Sequence, residues 1–110
     1  MDKQLLKEIN QLHAEICGGL SDPNRIAILY ALAEKPESVM ELADALDLPQ
    51  PSLSRHLKVL RDRGMVAAER QGANIYYSLG DKRIIKALDL LREVLADNLN
   101  KRSALAEAIV

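Results

Sequence analysis

The chain has 110 residues, 48% hydrophobic and 28% charged, with a formal net charge of −1, which fits one folded domain and excludes a disordered chain. Three tyrosines with no Phe or Trp make the core aliphatic, and a single cysteine excludes an internal disulfide and fits a reducing compartment. No apolar run approaches the roughly 18–20 residues of a bilayer span, and the opening M-D-K-Q-L-L-K-E lacks the apolar centre of a signal peptide, so a cytoplasmic protein without a membrane role is expected.

Leu5, Leu6, Ile9, Leu12 and Ile16 form a helical stripe over 3–17, and Gly18-Gly19 should end or kink it. Ser21-Asp22-Pro23 restarts a helix, with Asp22 as cap and Pro23 at the first helical position. This second helix carries Ile26, Leu29, Tyr30, Leu32 and Ala33 to about Glu34, with Tyr30 expected in the core. Lys35-Pro36-Glu37 reads as a short turn. Ser38-Val39-Met40-Glu41 is a capping-box pattern that opens a third helix over 39–46, with Leu42, Ala43 and Leu46 on its apolar side.

Asp47-Leu48-Pro49 turns the chain into a fourth helix that begins around Pro49–Pro51 and runs to Gly64, where a left-handed residue is wanted. Leu53, Leu57 and Leu60 recur at helical spacing as one stripe. Ser52, Ser54, Arg55, His56, Lys58, Arg61 and Arg63 fall on the other side. Two short helices joined by a tight turn make a helix-turn-helix over 38–64, and the second and more basic one is the helix expected in a DNA groove.

After Gly64 the period becomes two-fold. Met65 to Arg70 and Ile75 to Leu79 are short strands around Gln71-Gly72-Ala73-Asn74, where Gly72 and Asn74 both tolerate the positive φ of a hairpin tip. This is a wing over 65–79, in which Tyr76 and Tyr77 should face opposite sides. Asp81 caps a long last helix whose apolar face runs through Ile84, Ile85, Leu88, Leu91, Val94, Leu95 and Leu99; from Asn98 to Val110 it still reads helical with weaker caps. One small domain cannot cover both terminal helices, so residues 1–19 and 81–110 are expected to form a two-fold dimer interface. The fold class is mainly α with a small β-hairpin, α-α-α-α-β-β-α: a single winged helix-turn-helix domain over 1–110, as a homodimer.

Charge is distributed to suit that reading. Between Gln50 and Asn74 lie five basic residues (Arg55, Lys58, Arg61, Arg63, Arg70) and two acids; between Glu37 and Leu48 lie four acids and no Lys or Arg. A local basic surface on a near-neutral protein binds phosphate while global charge limits non-specific adhesion. The expected contacts with double-stranded DNA are Gln50, Ser52, Ser54, Arg55, His56, Lys58 and Arg63 from the fourth helix, and Arg70, Gln71 and Asn74 from the wing. Gln50, Ser54 and Arg55 are expected at base edges.

These segments resemble the ArsR/SmtB family of small bacterial winged-helix repressors over about residues 10–97. The carriers are L-S-D-P-N-R-I-A-I-L at 20–29, Q-P-S-L-S-R-H-L-K-V-L-R-D-R-G-M-V at 50–66 and R-Q-G-A-N-I-Y-Y-S-L at 70–79. The resemblance implies DNA binding as a homodimer, repression of a nearby promoter, and release by an inducer bound elsewhere. The family's inducer sites do not carry over. Where thiolate-sensing members have a C-V-C run, this chain has Ser38-Val39-Met40. The positions matching the zinc-type ligands of the last helix are Asp81, Arg83, Val94 and Asp97, with no histidine. Persulfide-type members need two cysteines and this chain has one.

His13 and Cys17 stand four apart, on one helix face, a spacing that supplies two metal ligands; Cys17 also lies at the edge of the apolar stripe, where a cysteine packs as a small hydrophobe. A metal- or redox-responsive regulator acting through Cys17 and a winged-helix protein-interaction module therefore stand beside the main reading. No resident cofactor and no catalytic constellation are expected, and the inducer is unnamed by the sequence.

Overall fold

The computed structural model describes residues 1–109. These form helices α1 (Lys3–Glu15), α2 (Pro23–Glu34), α3 (Val39–Leu46), α4 (Gln50–Asp62) and α5 (Arg83–Ile109), and strands β1 (Glu37–Ser38), β2 (Val66–Gln71) and β3 (Asn74–Leu79), with a 3-10 turn, Cys17–Leu20, between α1 and α2. The helical reading of 98–110 holds as far as Ile109; Val110 lies outside the described residues.

Helix boundaries follow local chemistry. The Asp22 carboxylate accepts from Asn24 N at 2.8 Å with Pro23 opening α2, and Ser38 Oγ accepts from Glu41 N at 3.2 Å to open α3. Both ends of the helix-turn-helix close by the same device. At the end of α4, Gly64 takes φ +72°, while Gly64 N donates to Arg61 O and Met65 N to Leu60 O at 3.0 and 2.9 Å. At the end of α3, Asp47 takes the left-handed conformation at φ 52°, while Asp47 N donates to Asp44 O and Leu48 N to Ala43 O at 3.4 and 3.0 Å. Each pair of bonds satisfies carbonyls that the helix end would otherwise orphan. Asp47 does this with a Cβ, which glycine would avoid.

Ile28, Leu29, Leu42, Leu53, Leu57 and Leu60 make the fully buried centre, joined by Met65, Val66 and Leu88. The core therefore lies among α2, α3 and α4, closed by the start of β2 and one residue of α5. β2 enters it tightly: Gly80 N donates to Met65 O at 2.9 Å, and a Cβ on Gly80 would run into the Gly64 carbonyl.

Five local expectations are corrected. The segment read as a turn at Lys35-Pro36-Glu37 leads into β1, which pairs Glu37 with Tyr77 and Ser38 with Tyr76, making a three-stranded antiparallel sheet in the order β1-β3-β2. Two residues are too few for alternation to show, and a preceding proline is compatible with an edge strand. Gly18-Gly19 does not end α1, which closes earlier at Glu15 with Ile16 as its cap; the two glycines lie inside the 3-10 turn that follows. At the hairpin tip Gly72 takes φ +65°, whereas Asn74 is the first residue of β3 and pairs with Gln71. The two-residue loop Gly72-Ala73, with positive φ at its first position alone, has the sign pattern of a II′ turn. Tyr30 is half-buried rather than central. Its hydroxyl donates to Asp89 Oδ1 at 2.6 Å, and the Arg92 guanidinium lies 5.2 Å from its ring centroid. Burial, then the bond to Asp89, raises the phenol above its usual range. Tyr30 is thus the strap from α2 to α5. Tyr77 packs on the core, and Tyr76 is also half-buried instead of fully outward.

The terminal helices are uncovered. α1 has no buried residue, with Leu5, Leu6, Ile9 and Leu12 41–52% exposed; Leu90, Leu91, Val94, Leu95 and Leu99 of α5 are 50–62% exposed. A cleft of about 460 Å³ between the end of α1 and the start of α5, with Leu12, Ile16, Met65 and Ile84 in its walls, continues this apolar surface.

Candidate nucleic-acid interface

α4 is held by Leu53, Leu57 and Leu60, each at most 1% exposed. With 3.6 residues per turn, that anchor turns Ser54, Arg55 and Lys58 outward, and all three are exposed, as is Gln50 at the first position. No side chain caps α4, and Pro51 in its first turn has no N–H. The positive end of the helix dipole is therefore open to an anion.

Arg55 is the strongest exposed donor. Its Nη2 reaches Ser52 Oγ at 3.2 Å, which steadies the side chain without neutralising it. Among the described residues Arg55, Arg61 and Arg70 are in no ion pair. Lys58 differs: its Nζ lies 3.0 Å from Asp62 Oδ2, both well exposed. Asp62 thus places an acid on the outward face. An exposed i,i+4 pair of this kind is weak and exchanges readily for a phosphate.

Two residues expected on the outward face lie instead on its flank. Seven positions apart, His56 and Arg63 share the side of α4 toward α2 and the 3-10 turn, and both are half-buried. Arg63 packs against Gly18 and Gly19, with Nη1 donating to Val59 O at 3.4 Å and a buried Nε that has no partner. The physical reason is that apolar and glycine surface takes up the arginine stem, which snorkels along it. Arg63 is placed as a packing residue, not as part of the outward set. His56 Nδ1 lies 3.3 Å from Arg25 Nη1.

Arg25 itself was not singled out by the sequence reading. Its Nε donates to Gly19 O at 2.8 Å, and Nη2 reaches Gly18 O at 3.3 Å and Ser21 Oγ at 3.4 Å. A signal existed. Asp22-Pro23 puts Arg25 in the first turn of α2, where the dipole opposes a cation, so fixed acceptors were to be expected nearby.

The wing brings Arg70, Gln71 and Asn74 together at its tip, all exposed, with Arg70 opposite Ile75 and Gln71 opposite Asn74. The acids Glu41 and Asp44 of α3 and Asp47 just after it are exposed, whereas Glu37 is half-buried in β1. His13 and Cys17 are both exposed. Among the described residues no group of three His, Cys, Asp or Glu side chains converges on a common point.

Comparison with known proteins gives the following. The family model described as "Bacterial regulatory protein, arsR family" matches residues 22–68. The HTH-type transcriptional repressor SmtB of Mycobacterium tuberculosis (strain ATCC 25618 / H37Rv) is 42% identical over 78 residues, which are 71% of this chain and 58% of SmtB. This chain thus spans little more than half of that relative's length. An HTH-type transcriptional regulator of Methanocaldococcus jannaschii is 43% identical over 82 residues, covering 71% of this chain and 92% of the relative. The crystal structure of M. tuberculosis Rv0081 superposes with a TM-score of 0.77 at 40% identity, covering 86% of this chain and 95% of that one. No helix among the described residues is long and apolar enough to cross a membrane.

Proposed function

The chain belongs to the arsR family of bacterial regulatory proteins, and on that premise we propose that it is a sequence-specific DNA-binding repressor acting as a homodimer on an inverted-repeat operator. The observation that carries this reading is α4, a helix anchored by three buried leucines and offering Gln50, Ser54 and Arg55 outward from an uncapped N-terminus. α4 enters the major groove; Arg55, with Gln50 and Ser54, reads base edges. Ser52 and Lys58 hold phosphates, His56 donates to the DNA from the flank of α4, and Arg70, Gln71 and Asn74 meet the backbone or minor groove beside them.

The dimer forms through residues 1–19 and 81–110. Support comes from the exposed leucine faces of α1 and α5, which a single chain leaves to solvent. Two-fold pairing sets the spacing between recognition helices and hence between half-sites. The protein works in the cytoplasm by binding rather than by catalysis. An inducer of unnamed chemistry releases it by binding the two DNA-affinity states unequally.

Selection from random duplexes followed by gel shift tests this reading. The expected result is an enriched inverted repeat bound by two protomers. Selection that returns no motif, with the folded protein instead retaining a protein partner, would favour an interaction module.

A further inference from the structure

We infer that Arg25 is a positioning residue for the DNA-reading helix: its guanidinium fixes the His56 ring in the tautomer that leaves Nε2–H as the ring's donor to DNA. The inference rests on the DNA-binding reading above. The chemistry is forced by the donor inventory. A guanidinium has five N–H donors and no acceptor, so at 3.3 Å from Arg25 Nη1 the His56 Nδ1 must supply a lone pair. In a neutral ring the proton then sits on Nε2. Ring orientation and donor identity are thereby set before DNA arrives, which lowers the ordering cost of the contact.

What makes Arg25 able to do this is that its own position is fixed. Nε is held by Gly19 O at 2.8 Å, and Nη2 by Gly18 O at 3.3 Å and Ser21 Oγ at 3.4 Å. The first two acceptors are backbone carbonyls of the 3-10 turn. Asp22, capping α2 through Asn24 N, fixes the start of the helix that carries the arginine. All three guanidinium nitrogens are used, two on the turn that follows α1 and one on α4. A lysine, with one nitrogen, could not span both. The same bracket therefore ties α4 to the turn that joins α1, a proposed dimer helix, to α2.

The test uses the full chain and its selected operator. With two histidines in the sequence, the imidazole ¹⁵N signals of His56 and His13 separate by comparison with His56→Ala. In wild type the neutral His56 ring should be in the Nε2–H form. Arg25→Gln should return a mixture of tautomers and weaken operator binding by about five- to tenfold. Arg25→Lys should keep the charge and the salt dependence but not the tautomer. His56→Ala leaves the carbonyl bonds of Arg25 intact; it should weaken binding by a similar factor, and the double variant should be no weaker than the poorer single one. Should Arg25→Gln fail to fold, Arg25→Lys and His56→Ala decide the matter. An unchanged tautomer in a folded Arg25 variant, or losses that multiply in the double variant, overturns the inference. Wild-type protein that binds no duplex removes the repressor reading itself, a different failure, and one the tautomer measurement on free protein does not share.

Discussion

Helices α4 and α5 use the same residue, leucine, to different ends. In the 13 residues of α4, Leu53, Leu57 and Leu60 all go into the core. In the 27 residues of α5, Leu88 alone is buried, and Leu90, Leu91, Leu95 and Leu99 stay at least half exposed. The stripe on α4 is satisfied within one chain, so its outward face is set rigidly. The stripe on α5 has nothing in its own chain to meet. The difference separates a helix finished within one chain, the proposed DNA reader, from a helix whose apolar face one chain leaves uncovered, the proposed dimer interface, and each half of that contrast can be broken by substitution.

The largest effect should come from cutting into the finished half. Leu57→Ala removes a fully buried side chain at the centre of α4 and should destabilise the domain by about 2–5 kcal/mol in denaturant unfolding. Leu91→Glu should do the reverse. Its site is exposed in one chain, so intrinsic fold stability should stay within about 0.5 kcal/mol of wild type. Sedimentation should nevertheless show a dimer weakened by about 100-fold or more, because a charge would be buried without a partner. A loss of folding with Leu91→Glu, or a dimer that survives it, would erase the contrast.

Smaller effects sharpen it. The Asp81 carboxylate accepts from the Arg83 guanidinium at 2.7–3.1 Å and from Arg83 N at 2.9 Å, and these bonds, the guanidinium's first, lower its pKa from 3.8 to about 2. The sign follows: a depressed folded pKa makes the cap's contribution fully present above the ordinary value and lost as pH falls toward 2. Protection of the amides in the first turn of α5, taken relative to their intrinsic exchange rates at each pH, should therefore be flat from neutral pH down to about 4 and fall below it. The smallest effect concerns the turn between α3 and α4. Asp47→Gly removes a Cβ from a left-handed residue and adds chain entropy to the unfolded state, so the net change should be a stabilisation of at most about 1 kcal/mol, seen as a small rise in the unfolding midpoint.

The sequence was most legible where chemistry is local. Asp22-Pro23, the capping serine Ser38, the leucine period of α4 and the glycine at its end each predict their own geometry from a few neighbours. What stayed hidden depends on contacts distant in the chain. β1 exists because Tyr76 and Tyr77, about 40 residues on, present a strand edge to Glu37 and Ser38. The inward turn of Arg63 is decided by Gly18 and Gly19, and the role of Arg25 by a histidine 31 positions later. Periodicity assigns a side chain to a helix face, but it does not say which neighbour comes to meet that face.

The repressor reading stands on the outward face of α4, and the salt dependence of operator binding probes that face. Wild type should lose affinity steeply as salt rises. Arg55→Ala with Ser54→Ala should lose at least about tenfold at moderate salt and relax sequence preference at the positions they touch. Operator affinity, salt slope and sequence preference all unchanged in that double variant would contradict the account.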